Sequence, residues 1–305
     1  MHNKYLINVV GPTAIGKTSL AIALARHFKT EIISADSRQF FKEMKIGTAV
    51  PSEEELAAAP HHFIQHISVE EDYSVGDFER EAIQKIEELF QHQQVLILAG
   101  GSGLYVKSIL EGLDDFPDVA PEIRQNLNEI LETEGIEKFQ QQLKELDPAY
   151  YDKADIENPH RLIRALEICL GTGKPYSSFL NRQKEKRNFE SISVGLTAER
   201  AIIYDRINRR VDLMMKEGLL KEAKAVFPKR HLNALNTVGY KELFEYLEGN
   251  ISLESAAEEI KKNTRRFAKR QLTWFRKDPD INWFDYTTPP EEIIAFLEAK
   301  INSSQ

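Results

Sequence analysis

Two glycines with four residues between them, then a lysine and a threonine, stand near the start of the chain: Gly11-Pro12-Thr13-Ala14-Ile15-Gly16-Lys17-Thr18. The spacing matches G-x-x-x-x-G-K-[ST]. In that pattern the glycines let backbone N–H groups turn inward on an anion, and the following helix adds the partial positive charge of its first turn. Lys17 supplies a point charge, and Thr18 a hydroxyl for a Mg²⁺ ion bridging phosphate oxygens. The usual occupant of such a loop is a nucleotide such as ATP, but a diphosphate of another kind fits the same donors. A kinase, an NTPase and a transferase with a diphosphate leaving group all remain open.

Two further groups bear on that anion. Ile32 and Ile33 run into Ser34-Ala35-Asp36-Ser37-Arg38-Gln39, a polar cluster at the carboxyl end of a core strand, where open α/β sheets place ligands. Asp36 is expected to face the phosphate loop. Arg206, Arg209 and Arg210 lie along one helix, and the planar fork of one of them would reach back to the anion; a solvated face explains the other two. A second glycine turn, Gly100-Gly101-Ser102-Gly103, follows the apolar run Val95 to Ala99. No Asp or Glu ends that run, so the acid that commonly holds Mg²⁺ in phosphate-loop NTPases is missing there, which counts against a conventional ATPase.

The elements that must position these residues follow from periodicity. Tyr5 to Val10 is apolar without alternation, as in a strand covered on both faces. Further strands are expected at 30–35, 62–67, 95–99, 192–196 and 282–285. Helices are expected at 17–28, from a capping box at Ser74 and Asp77 to Phe90, at 200–218, from 237 to near Gly249, after Ser252, and at 290–301. From 117 to 187 only helical patterns occur. The fold expected is α/β: a P-loop NTPase-like parallel sheet flanked by helices (1–114 and 190–305), with an inserted, mostly helical domain (115–189). Arg161 and Arg164 share a helix face in the insertion, a pairing that solvated surface arginines explain equally well.

The chain has 305 residues, 42% hydrophobic and 29% charged, as in a globular protein with a real core. No apolar run approaches the roughly 20 residues of a membrane span, and Met1 to Tyr5 lacks a signal-peptide layout, so a cytoplasmic monomer is expected. Cys169, the single cysteine, sits in an apolar helical pattern and reads as a buried thiol. A formal charge of −8 argues weakly against nucleic acid. Against that average, Lys261 to Lys277 holds eight Lys or Arg residues and no acid, with Phe267, Trp274 and Phe275 among them. The helix dipole favours cations late in a helix, but that many exceed its need, and a nucleic-acid contact is expected.

Eight stretches in one order closely resemble the bacterial tRNA dimethylallyltransferases, or tRNA isopentenyltransferases. They are Gly-Pro-Thr-Ala-x-Gly-Lys-Thr (11–18), Ser-Ala-Asp-Ser-Arg-Gln (34–39), Ile-Gly-Thr-Ala (46–49), Gly-Gly-Ser-Gly-Leu-Tyr (100–105), Asn-Pro-His-Arg-Leu-Ile-Arg-Ala-Leu-Glu (158–167), Arg-Val-Asp-x-Met (210–214), Val-Gly-Tyr-Lys-Glu (238–242) and Lys-Arg-Gln-Leu-Thr-Trp-Phe-Arg (269–276). The resemblance spans about residues 5 to 285. It implies transfer of a dimethylallyl group from dimethylallyl diphosphate to the exocyclic amine of the adenosine just 3′ of the anticodon, without ATP consumption. The loop 11–18 would then hold a prenyl diphosphate with Mg²⁺ on Thr18. Asp36 matches the family's base, while Thr13, Lys17 and Arg210 would stabilise the leaving diphosphate. Matching the segments that touch tRNA are Asp36, Ser37, Arg38, Gln39, Ser102, Arg124, His160, Arg161, Arg164, Gly239, Tyr240, Lys241, Lys269, Arg270, Gln271, Trp274 and Arg276. No protein partner is implied. Ile15 departs from the small residue common in the family loop, and Lys241 is arginine in some members. The eukaryotic members' zinc finger has no counterpart in this sequence. Two other readings compete: a small-molecule or nucleoside kinase with Arg161 and Arg164 on a lid, and a non-catalytic RNA-binding protein with a vestigial loop.

Overall fold

The computed structural model describes residues 3–180 and 186–303. The chain divides into two compact units, Met1–Glu111 with Arg187–Gln305, and Gly112–Lys186; the sequence reading set the insertion at 115–189. In the first unit β1 (Tyr5–Val10), α1 (Lys17–Phe28), β2 (Ile32–Ser34), α2 (Glu53–Ala58), β3 (His61–His62), α3 (Val75–Leu89), β4 (Val95–Ala99) and α4 (Gly103–Glu111) precede the second unit. Among the described residues six strands lie parallel in one sheet of order β3-β2-β4-β1-β5-β6, completed after the insertion by β5 (Glu190–Thr197) and β6 (Asn282–Asp285). The central strand β1 is buried along its whole length. Leu6 and Val10 join one apolar layer and Ile7 and Val9 the other, which is why its sequence shows no alternation.

One expected strand is mostly absent. Of 62–67, only His62 pairs within β3, because Phe63 (φ 63°) and Gln65 (φ 47°) adopt left-handed backbone that no strand accommodates. The chain leaves the sheet there and returns through a single bridge between Phe41 and Ile67. The cap of α3 forms as its residue types require: Ser74 Oγ accepts from Asp77 N at 3.2 Å, and Asp77 accepts in turn from Ser74 N at 2.8 Å.

In the second unit α5 (Pro121–Glu134), α6 (Glu137–Leu146), α7 (Pro148–Tyr151) and α8 (Pro159–Thr172) pack around Leu127, Phe139, Leu143, Leu162 and Leu166. Cys169 is buried, as its setting suggested. The first unit then continues with α9 (Arg200–Glu217), α10 (Leu219–Val226), α11 (Tyr240–Leu247), α12 (Leu253–Phe275) and α13 (Pro290–Ser303). Among the described residues no helix is long and apolar enough to cross a membrane.

Asp147 is a buried carboxylate that ties the second unit together. It accepts from Tyr150 N at 3.0 Å, Ser177 N at 2.6 Å and Ser177 Oγ at 2.8 Å, joining α7 to the 3₁₀ turn Tyr176–Phe179. Asp147→Ala removes the acceptor of Ser177 N and Oγ, leaves Tyr150 N its 3.2 Å bond to the carbonyl of residue 147, and is expected to cost roughly 1–3 kcal/mol of stability. Urea unfolding followed by circular dichroism measures it; a change within error would mean that water takes the carboxylate's place.

Candidate active site

The strand β1 delivers the chain into loop 11–18. Gly11 (φ 143°) lies so close to β5 that a Cβ there would sit 2.6 Å from Leu196 O. Gly16 (φ 116°) and Ala14 (φ 65°) are left-handed too, the backbone alternation that points successive N–H groups into one concavity. No side chain caps α1, so its first-turn N–H groups remain donors for an anion. Lys17 Nζ donates to Pro12 O at 2.9 Å, across the same loop.

Asp36 stands at the carboxyl end of β2. Its Oδ1 accepts from Arg38 N at 3.1 Å, and its carbonyl from Gln39 N at 3.1 Å. Ser102 Oγ accepts from Ser37 N at 3.1 Å and bonds Ser37 Oγ at 3.1 Å, joining the Asp36 turn to the second glycine turn. Opposite lie two arginines of α9, one helical turn apart. Arg206 Nε donates to Ala14 O at 2.7 Å, and Arg210 lines the same cavity. Two of the three arginines therefore reach the loop where one was expected; Arg209 is exposed and paired with Asp205 at 3.0 Å.

The electrostatics favour an anion. Burial pushes Lys17 down to about 8, with Asp36 opposing and Arg210 adding to the shift. Arg210 is also lowered, first by burial and then by the charge of Arg206, while Glu55 and Asp36 oppose. The cavity they line has a volume of about 850 Å³, and its wall continues through Ile46, Val50, Leu213 and Met214. Glu222 of α10 holds that wall in place, accepting from the backbone N–H groups of Lys45 (3.0 Å), Ile46 (2.8 Å) and Gly47 (2.8 Å). Gln39 Nε2 donates to Thr48 O at 3.1 Å and Ala49 O at 3.0 Å. The cavity thus offers a cationic end with Asp36 beside it, an apolar side, and further carboxylates at Glu53, Glu54, Glu55 and Glu217. Among the described residues no cluster of His, Cys, Asp or Glu could hold a metal ion alone. The Thr18 hydroxyl lining the cavity suits Mg²⁺ that arrives on phosphate oxygens and keeps several waters.

The residues matched to RNA contact fall into distinct settings. Lys269, Arg270, Trp274, Arg276 and Lys241 are exposed. Lys269, Arg270 and Trp274 line a shelf-like hollow of about 380 Å³ with Arg266, Thr273 and Lys277. Arg38 spends its Nη1 on Asn233 O (3.4 Å) and Ala234 O (3.0 Å). In the second unit Arg124 and Arg164 both grip buried Glu167, at 3.1 and 3.0 Å, and His160 and Arg161 are exposed. Three of the matched positions are buried. Gln271 is buried with both amide ends bonded inside the protein; Tyr240 is fully buried, its hydroxyl on Glu222 at 2.6 Å; and Gly239 is buried with its N–H on Glu242 at 2.8 Å. Sequence reasoning named Arg206 among three candidates and carried only Arg210 to the loop, although the i, i+4 spacing of the two was a usable signal for both; it missed Glu222, which carried no signal.

A parallel sheet with a glycine loop at the end of β1, cations around it and a carboxylate at the end of β2 defines a phosphate-loop protein suited to an anionic group. A family model described as IPP transferase matches residues 39–278, and the chain belongs to that family. It is 65% identical to a tRNA dimethylallyltransferase of Christiangramia forsetii, over 99% of this chain and all of that protein. It is 59% identical to one of Flavobacterium johnsoniae, over 99% of each. The crystal structure of a full-length tRNA isopentenylpyrophosphate transferase from Bacillus halodurans matches with a TM-score of 0.74 at 37% identity, covering 98% of this chain and 97% of that one. A eukaryotic dimethylallyltransferase described as acting on tRNA matches with a TM-score of 0.84 at 27% identity, over 98% and 80%.

The lowered Lys17 gives a pH signature. Above about pH 8 the free protein carries Lys17 largely neutral, and a bound diphosphate favours its charged form, so binding there takes up a proton and weakens as pH rises. Lys17→Arg stays charged throughout. Calorimetry of pyrophosphate binding at pH 8.5, in buffers of different ionisation enthalpy, should show more proton uptake in the wild type than in Lys17→Arg; equal uptake would place the titration elsewhere.

Proposed function

We propose that this chain transfers the dimethylallyl group of dimethylallyl diphosphate to N6 of the adenosine 3′-adjacent to the anticodon in tRNA, releasing diphosphate. The observation that carries this reading is the make-up of the cavity at the loop, where Lys17, Arg206 and Arg210 meet an apolar wall of Ile46, Val50, Leu213 and Met214 with Asp36 alongside. A short apolar tail on a diphosphate suits both ends. Family membership supports the same chemistry.

In the reaction the allylic C–O bond breaks and its electron pair leaves on the diphosphate, while N6 forms the new N–C bond. Charge grows on the leaving oxygens, so donors aimed there act most strongly in the transition state. Loop N–H groups, Lys17, Arg206 and Arg210 are those donors, and the Thr13 side chain lines the same end. The N6 lone pair is delocalised into the purine, and Asp36 accepts the amine proton as the bond forms. Thr18 would hold Mg²⁺, which supplies further neutralisation of the diphosphate when bound. The purine must leave the loop stack to reach Asp36, and exposed Lys269, Arg270 and Trp274 suit a single-stranded RNA segment. A kinase would share the loop and the carboxylate but gives no role to the apolar wall.

Incubation with unmodified tRNA, Mg²⁺ and labelled dimethylallyl diphosphate should place label in tRNA equally with and without ATP; phosphate transfer from ATP with no prenylated base would overturn the reading in favour of a kinase. Asp36→Asn should lower turnover by about 10² or more while RNA affinity persists. Unchanged turnover would remove Asp36 from the mechanism.

A further inference from the structure

We propose that Gln271 is a positioning residue that couples the RNA shelf of α12 to the diphosphate loop, so that RNA and diphosphate each tighten binding of the other. The inference rests on the proposed function, since it needs an RNA on the shelf. Gln271 is 6% exposed. Its Oε1 accepts from Thr13 N at 2.8 Å and its Nε2 donates to Gly101 O at 2.9 Å. Each end meets the one partner type it can bond, so the amide has a single orientation. The second glycine turn is shaped around it: a Cβ on Gly101 would lie 2.4 Å from Nε2.

The peptide that Gln271 grips is the one that holds Lys17. Its N–H belongs to Thr13 and its carbonyl to Pro12, and that carbonyl accepts from Lys17 Nζ at 2.9 Å. A peptide is planar, so whatever sets the direction of its N–H sets the direction of its C=O. Gln271 therefore governs where the ammonium rests before a diphosphate draws it away. Three residues further along the helix, Trp274 lies against Gly103, where a Cβ would sit 2.3 Å from its ring, and is 42% exposed on the shelf. Between these glycines Ser102 bonds the turn that carries Asp36. One rigid helix thus meets the shelf on one side and holds both glycine turns on the other. RNA that settles Trp274 biases the Thr13 peptide and the Asp36 turn together, and linkage makes the effect reciprocal.

Replacement by methionine keeps the volume and removes both bonds. Glutamate keeps the acceptor for Thr13 and loses the donor for Gly101, which gives a second variant should Gln271→Met fail to fold. Calorimetry of Mg²⁺-pyrophosphate binding, with and without an unmodified anticodon stem-loop RNA, reads the coupling. In the wild type RNA should tighten pyrophosphate about tenfold; in Gln271→Met or Gln271→Glu the factor should fall below about twofold, with RNA affinity alone unchanged and kcat reduced at saturating substrates. A merely structural glutamine would lower the melting temperature and leave the factor intact, which overturns the proposal. No coupling in a wild type that binds RNA and turns over also overturns it and leaves the proposed function standing. A wild type that does not bind the RNA overturns both.

Discussion

The burial of neighbouring cations, only partly offset by nearby carboxylates, is the constraint on which the rest of this structure depends. Lys17 is lowered by burial and by Arg210, and Arg210 by burial and by Arg206, with Asp36 opposing both shifts. Such an arrangement is unfavourable alone and persists because the helices that carry it are locked into the core, α1 by Leu20 and Leu24 and α9 by Ile203, Ile207 and Val211. A multivalent anion relieves burial and repulsion at once. The relief grows with the charge on that anion, so a leaving diphosphate is met more strongly than a bound ester. Preorganised cations in a dry site stabilise the departing group without having to reorganise during the reaction.

The opposite side of the cavity is held by polar bonds from remote parts of the chain. Segment 45–50 has no regular structure, yet one carboxylate, Glu222, takes three consecutive backbone N–H groups from it. Tyr240 packs beneath Gly47, where a Cβ would lie 2.6 Å from its ring, and bonds the same carboxylate. Gln39 supplies the bonds at the far end of the segment. An apolar wall on an otherwise unsupported loop would be mobile; these bonds make Ile46 and Val50 a surface of defined shape.

What was legible in the sequence is what neighbouring residues decide. The phosphate loop, the buried run of β1, the Ser74 box and the Ser252 cap are short-range patterns, and each appears at its expected residues. Strand 62–67 was misjudged because apolar content does not report the left-handed backbone at Phe63 and Gln65. The site was legible only in part. Asp36 and Lys17 lie beside recognisable strand ends, whereas Gln271 reaches Thr13 across 258 positions of sequence and Glu222 reaches Gly47 across 175. No local pattern marks a glutamine whose partners lie that far away.

The basic run on α12 shows the same limit in charge. Read as a string it holds eight cations, but the fold divides them. Lys261 is paired with Asp212 and Glu258, Lys262 with Glu259, and Arg265 donates to Asn208. These lie toward the middle of the helix, where α9 packs, and their charge is largely answered within the protein. Lys269, Arg270 and Lys277 lie further along, exposed beside Trp274. The effective field is therefore smaller than the count suggests, and it is concentrated on the last turns, next to an aromatic ring. A net charge of −8 is compatible with RNA binding on those terms, because screening confines the interaction to within about 10 Å of the surface that carries the cations. The acids elsewhere on the molecule then act on the approach of RNA rather than on its bound position.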